Sequence, residues 1–324
     1  MIISRTPLRV SFVGGGSDLP SYYRNYGGAV LSMSITRYIY LSMHKNFETD
    51  GYILKYSKVE TPNSRSTIEH RIIREVFESL DIPGVDFNSS ADVPSGTGLG
   101  SSSCFTVGLI SLCNAYLGRY ISRAELARKA CEVELEKLGE PIGKQDQYGC
   151  ALGGVNFIRF NPDDSVSTEA IALTQEMRRR LEANLIMFYL GGTRSASAVL
   201  VEQNKNIATH RSTIESMKSM VQQAYDLRSD ILNDVDVIGP YLHRGWILKR
   251  GLAQGISNPV IDDAYSRALR AGATGGKLLG AGSSGFLLVY APDAAREAVC
   301  TALAEYPAYP VGLDTMGSCI IYSD

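Results

Sequence analysis

Long apolar runs, histidines, paired cysteines and net charge are all scarce in this sequence, and each scarcity removes a class of protein. No apolar run approaches the ~20 residues that a helical membrane span requires. The first residues, Met1-Ile2-Ile3-Ser4-Arg5-Thr6-Pro7, lack the apolar core and small-residue cleavage site of a secretory signal. Only four histidines are scattered over 324 residues, with no H-E-x-x-H, which argues against a zinc site. Six cysteines (Cys104, Cys113, Cys131, Cys150, Cys300, Cys319) form no C-x-x-C pair. Four of these fall in or beside apolar helical stretches, where a thiol packs as a small hydrophobe. A net charge of −2 and a pI near 6.1 offer no basic surface to nucleic acid. Internal repeats, low-complexity tracts and long linkers are missing too. The expectation is a reduced, cytoplasmic, disulfide-free protein with neither a membrane nor a nucleic-acid partner.

What the sequence does have is glycine in bursts. Pro94-Ser95-Gly96-Thr97-Gly98-Leu99-Gly100-Ser101-Ser102-Ser103 sets a glycine at every second position, then three hydroxyls, then an apolar run with helical spacing from Cys104 to Ile110. A loop so poor in side chains lets backbone N–H groups approach an anion. The helix that follows aims its unpaired donors and positive dipole end at the same point. This is the composition of a phosphate cradle, although no Gly-Lys-Ser/Thr closes it as in a Walker loop. A Gly/Ser linker is the plainer alternative, but linkers rarely run straight into a core.

Arg9–Val13 alternates and is rich in β-formers, predicting a strand that runs into Gly14-Gly15-Gly16. Residues 29–45 and 51–57 read as long strands. The spacing of Ile68, Ile72, Ile73, Val76, Phe77 and Leu80 predicts an amphipathic helix over 65–80. A short strand at Val85-Asp86-Phe87 leads to helices at 101–117 and 122–138, the second opening on a Ser122/Glu125 capping box. Beyond Gly153-Gly154, strands near 155–160 and 184–190 flank a short helix, and 195–271 reads almost wholly helical. Strands at 277–279 and 285–290, a helix at 293–304 and a last strand near 317–322 complete the chain. The fold class is α+β in two lobes, 1–175 and 176–324.

Three further segments invite a chemical reading. Gly14-Gly15-Gly16-Ser17-Asp18 ends a predicted strand; it suits a backbone packed on a ligand, with Asp18 accepting from hydroxyls, and equally suits any tight turn. Gly280-Ala281-Gly282-Ser283-Ser284-Gly285 matches G-x-G-x-x-G, but Phe286–Tyr290 after it is strand-like where the dinucleotide fingerprint needs a helix. A glycine-rich hairpin covering a ligand fits better. Gly143-Lys144-Gln145-Asp146-Gln147-Tyr148 sets a carboxylate beside a lysine, where it can stay ionised and hold a hydroxyl.

In this order the motifs resemble the GHMP kinases, named for galactokinase, homoserine kinase, mevalonate kinase and phosphomevalonate kinase. The resemblance rests on Pro7–Asp18, Pro94–Ser103 and Lys277–Gly285, so it spans the chain. Within the family, Arg5-Thr6-Pro7-Leu8-Arg9, Gly14–Pro20, Gly143–Tyr148 and Gly191-Gly192-Thr193-Arg194-Ser195-Ala196-Ser197 are similar to the D-glycero-D-manno-heptose 7-phosphate kinases. Ser283-Ser284 depart from the glycines that many relatives carry there.

The resemblance implies a two-lobed fold, with a ribosomal protein S5-like N-terminal lobe and a ferredoxin-like, helical C-terminal lobe. It also implies transfer of the γ-phosphate of ATP to the anomeric hydroxyl of a sugar phosphate. ATP would be held by Pro94, Gly96, Gly98, Leu99, Gly100, Ser101, Ser102 and Ser103, and Mg²⁺ by Ser102 and Glu134. Asp146 matches the catalytic aspartate and Arg9 the basic residue of the first motif. Gly15, Gly16, Ser17, Asp18, Lys144, Thr193, Arg194 and Gly282 would face the sugar. The phosphate already on the sugar falls to Arg194 first, at a predicted helix N-terminus, and to Lys144 second; Lys144 tuning Asp146 and Arg194 in a surface ion pair are the alternatives. A kinase for a free sugar such as L-fucose, and a non-enzymatic sugar or nucleotide sensor on the same scaffold, are the competing functions. The oligomeric state stays open, a homodimer included.

Overall fold

The computed structural model describes all residues except 48–49 and 193–196, together with the side chains of 197, 198 and 208. The strands, in chain order, are β1 (Ile2–Val13), β2 (Gly28–Lys45), β3 (Ile53–Lys55), β4 (Val59–Glu60), β5 (Val85–Ala91), β6 (Val155–Phe160), β7 (Val166–Ile171), β8 (Leu185–Tyr189), β9 (Gly275–Leu278), β10 (Phe286–Tyr290), β11 (Ala308–Pro310) and β12 (Cys319–Ser323). The helices are α1 (Pro20–Tyr26), α2 (Arg71–Leu80), α3 (Ser101–Tyr116), α4 (Arg123–Cys131), α5 (Gln145–Leu152), α6 (Gln175–Asn184), α7 (Ser197–Thr209), α8 (Arg211–Asp230), α9 (Ile238–Lys249), α10 (Pro259–Arg270) and α11 (Asp293–Ala302). Among the described residues no helix is long and apolar enough to cross a membrane, and all six cysteines are free thiols.

The first sheet is organised by β2. One edge of that strand pairs with β1 along nearly its whole length; the other is shared, Gly28–Met33 pairing with β6 and Ile39–Lys45 with β5. The sheet therefore divides beyond β2 into two wings. Residues 28–35 of β2 are buried on both faces, where α3, α5 and α8 pack against the strand; its later residues alternate. Helix α3 is buried from Ser103 to Asn114. That is why its sequence is apolar all round rather than on one stripe.

The second sheet has the order β11-β8-β10-β9 with every pairing antiparallel. Counted along the chain these strands run 4-1-3-2, with α7–α10 between the first and second and α11 between the third and fourth, which is the ferredoxin-like connectivity. The expected division at 175/176 falls in the first turn of α6. The chain beyond it does not stay with the second sheet: β12 returns to pair with β1 as the edge strand of the first.

Several elements differ from expectation. The helix foreseen over 65–80 starts at Arg71, because Ser64, Ser66 and Thr67 bond among themselves and close a short 3₁₀ turn at Arg65–Thr67 instead. His70 then caps α2, its ring accepting from the Ile73 N–H. The strand expected over 51–57 shrinks to three residues. Strands β7 and β11 were not foreseen; β7 is largely solvent-facing and β11 ends in proline, so neither carries an apolar alternation. The capping box is present, Ser122 Oγ accepting from the Glu125 N–H, but the α-helix ends at Cys131 and continues as a π-helical turn over Glu132–Lys137. Such turns recur at functional sites, and this one carries Glu134.

The strand-to-loop junctions bring the glycine segments together. Gly14 takes φ +84°, and a Cβ there would lie 1.9 Å from the Ala29 carbonyl oxygen, so the end of β1 can lie on the start of β2 only without a side chain. Gly118, at φ +66°, faces open space. Gly118→Ala should therefore cost about 1 kcal/mol, the conformational penalty alone. Gly14→Ala should cost several times more in urea unfolding, because backbone must also move. Equal losses at the two positions would remove the packing argument.

Candidate active site

Arg9 and Asp146 form the centre of the site. Arg9, on the interior of β1, donates from Nε to Asp146 Oδ1 at 2.8 Å and from Nη1 to the Gly98 carbonyl at 2.9 Å. Its Nη2 lies 2.7 Å from Asp146 Oδ1, and its backbone N–H donates to the Leu99 carbonyl. Burial opposes the guanidinium charge, but the charge of Asp146, its hydrogen bond and the charge of Asp18 outweigh it and hold the group above its usual range. Asp146 stands in the first turn of α5, where the helix dipole favours an anion. Both residues line a cavity of about 330 Å³.

Asp18 faces the same cavity. Its Oδ1 accepts from the Gly16 N–H and from Gln145 Nε2, and its Oδ2 from the Gln145 N–H, at 3.0–3.2 Å. Burial, then the charge of Asp146, raises its pKa. Gly143 closes over this carboxylate; a Cβ there would meet Asp18 Oδ2 at 1.9 Å.

The glycine loop fits an anion. Gly100 is the N-cap of α3 and no side chain caps that first turn, while Ser101 Oγ is buried without a partner. Gly96, Gly98, Gly100, Ser101, Ser102 and Ser103 line the cavity. The β9–β10 hairpin is its other wall, contributing Gly280, Gly282 and Ser284. Loop and hairpin approach at backbone distance: a Cβ on Gly98 would lie 2.5 Å from the Leu279 carbonyl oxygen, and one on Gly280 2.5 Å from Gly98 Cα.

Glu134 lies behind Ser102, almost fully buried. Its Oε1 accepts from Ser102 Oγ at 3.1 Å and Thr106 Oγ1 at 3.0 Å, and its Oε2 from Gln147 Nε2 at 2.6 Å. Burial raises its pKa, with the hydrogen bonds opposing. An all-oxygen pair beside an anion cradle fits Mg²⁺, which takes few protein oxygens and keeps water and phosphate oxygens as its other ligands.

Not every expected residue faces the cavity. Leu99 is buried in the core with its carbonyl taken by the Arg9 N–H, and Pro94 sits on the outer surface, accepting from Thr97 Oγ1. Ser17 Oγ spends itself on the Ala29 carbonyl and N–H, stapling the glycine turn to β2. Gly15 packs near the Gln145 amide. Lys144 turns away: its Nζ donates to the Asp164 carbonyl at 2.8 Å and lies 4.9 Å from the centre of the Tyr23 ring. It faces neither Asp146 nor the cavity. Thr193 and Arg194 lie outside the described residues.

Gln145, Gln203 and Lys249 are among the residues that enter the site without having been expected in it. Gln145 holds Asp18. Gln203, from α7, is buried beside Gly16 with its Nε2 unpartnered. Lys249, the last residue of α9, lines the cavity at 8% exposure, and its Nζ donates to the Gly280 carbonyl. Burial and the charge of Arg9 lower its pKa to about 8, against the pull of Asp18 and Asp146.

Residues 67–154 match the GHMP kinases N terminal domain and residues 220–307 the GHMP kinases C terminal. The chain belongs to the GHMP kinase family. It is accordingly an ATP-dependent phosphotransferase acting on an alcohol group. D-glycero-alpha-D-manno-heptose 7-phosphate kinase of Campylobacter jejuni is 29% identical, over 95% of this chain and 94% of its own. A crystal structure of a D-glycero-D-manno-heptose 1-phosphate kinase from Bacteroides thetaiotaomicron superposes over 100% of both chains with a TM-score of 0.82 at 25% identity. The bifunctional fucokinase/GDP-fucose pyrophosphorylase of Arabidopsis thaliana is 26% identical over 97% of this chain, which spans 32% of that longer protein.

The buried ammonium of this GHMP kinase leaves a thermodynamic trace. Lys249 titrates near 8 when folded and near its ordinary 10.5 when unfolded. Between those values the unfolded chain binds more protons, so this group's contribution to stability rises with pH. Lys249→Met lacks the effect. Its stability relative to the parent should be highest below pH 8 and fall by up to about 3 kcal/mol toward pH 10.5. Urea unfolding of both proteins at pH 7 and pH 10 measures the change; a constant difference would mean the lysine keeps its ordinary pKa.

Proposed function

We propose that this kinase phosphorylates the anomeric hydroxyl of D-glycero-D-manno-heptose 7-phosphate, giving the 1,7-bisphosphate for nucleotide-activated heptose synthesis. The observation that carries the chemistry is the Arg9–Asp146 pair, turned into a cavity between an uncapped helix N-terminus and the Asp18 carboxylate. The choice of sugar draws on the near-full-length similarity to the Campylobacter jejuni enzyme.

Asp146 accepts the proton of the anomeric hydroxyl as its oxygen attacks the γ-phosphorus; the bond from that phosphorus to the bridging oxygen breaks, and ADP leaves. Phosphoryl transfer asks the protein mainly for alignment and neutralised charge. Arg9 orients Asp146 through its Nε and Nη2 contacts and offsets the alkoxide that develops. An anomeric hydroxyl is more acidic than an ordinary alcohol, so a carboxylate beside a cation suffices as base. Asp18, held by three donors, keeps acceptor capacity for sugar hydroxyls. The donors of Gly96, Gly98, Gly100 and Ser101 hold the triphosphate. Ser102 and Glu134 would hold Mg²⁺, which neutralises phosphate charge when bound.

A second reading, a kinase for a free sugar such as L-fucose, is favoured by the match of almost the whole chain to the Arabidopsis fucokinase protein. Coupled ADP-release assays with Mg²⁺ and ATP separate the two. Heptose 7-phosphate should give kcat/KM at least a hundredfold above free heptose, L-fucose and heptose 1-phosphate. A free sugar matching it would transfer the assignment to the second reading.

Asp146→Asn removes charge at nearly constant volume. It should lower kcat by about 10²–10⁴-fold while nucleotide binding persists. Near-full kcat at saturating substrate would reject Asp146 as the base.

A further inference from the structure

We infer that Lys249 is the cation that binds the γ-phosphate of ATP, supplied by the second lobe to a phosphate loop that has no lysine of its own. The inference rests on the kinase reading above and adds to it a residue that neither motif resemblance nor helix spacing singles out.

The cradle at Gly96–Ser103 presents N–H groups and hydroxyls but no full positive charge, whereas Walker-type loops carry a lysine for the terminal phosphates. Among the described residues lining the cavity, the cations are Arg9 and Lys249. Arg9 has its charge paired with Asp146 through Nε and Nη2 and uses Nη1 on the Gly98 carbonyl. Lys249 has three N–H donors, and its one hydrogen-bond partner among the described residues is the Gly280 carbonyl. Lys277, the other buried lysine nearby, points into β1, donating to the Ser11 carbonyl at 2.9 Å and to Ser11 Oγ.

Position makes the same point. Gly280 packs directly on Gly98, so the ammonium is held at the middle of the phosphate loop. Arg9, Asp18 and Asp146 all act on it electrostatically. Lys249 thus stands where loop, acid and sugar-facing carboxylate meet, which is where a phosphoryl group in transit lies. It is also an ammonium buried without an ion-pair partner among the described residues, an arrangement that costs free energy unless an anion binds there.

Calorimetry with Mg²⁺ present, using ADP and an ATP analogue with a methylene between the β- and γ-phosphorus, tests the role on the full chain. The parent should bind the analogue more tightly than ADP. Lys249→Met should weaken the analogue roughly ten- to a hundredfold and leave ADP within about threefold. Lys249→Arg should recover part of the loss. Equal weakening of both nucleotides, or a rise confined to the sugar KM, would overturn the inference. A parent that binds neither nucleotide would instead overturn the kinase reading. Should Lys249→Met fail to fold, reductive methylation of the parent gives the answer, read at Lys249 by mass spectrometry. The analogue should slow modification where ADP does not, and equal protection by the two would refute the assignment.

Discussion

The cleft depends first on the guanidinium of Arg9. One side chain, nearly sealed from solvent, ties β1 to the glycine loop through the Gly98 carbonyl and to α5 through Asp146, segments 89 and 137 residues away in sequence. Its backbone N–H adds the Leu99 carbonyl. Removing one partner of such a pair leaves an uncompensated charge in a low-dielectric setting, a cost of about 3–5 kcal/mol. The same bonds that hold the wall of the cleft therefore hold the acid in register with the phosphate loop. Structure and chemistry share these atoms.

Around that pair the walls are made of backbone. Gly98 against Leu279 and Gly280, and Gly285 against Thr97, let the hairpin of the second lobe lie on the loop of the first at distances that no Cβ permits. Such a contact has little freedom to be repacked by side-chain rotation. It presents N–H and C=O groups rather than variable side chains to whatever enters. Side-chain identity matters instead at the far wall, where Asp18, Gln145 and Gln203 converge on Gly15 and Gly16.

How much of this could be read from the sequence follows from which forces act locally. The glycine loop and the Ser122 cap were legible because backbone geometry sets their composition. Helices with one buried face, such as α2, were legible in kind though not in their starting point, where the Ser64–Thr67 hydroxyls compete for the backbone. Strands β7 and β11 were not, since exposed edges need no apolar alternation. Lys249 reads in sequence as a basic residue at a helix C-terminus, where the dipole alone would justify it. Gln203 sits in Glu202-Gln203-Asn204-Lys205-Asn206, which looks like a solvated face. The direction of Lys144 rests on Tyr23 and Asp164, distant residues that no local pattern reveals.

Helix α9 belongs to both cores. Tyr241 and Leu242 pack into the one built on the first sheet, Trp246 into the one under the second, and Lys249 ends the helix at the cleft. A helix packed into two cores takes its position from both. The separation of Lys249 from Arg9 is thus set by how the two cores seat against each other.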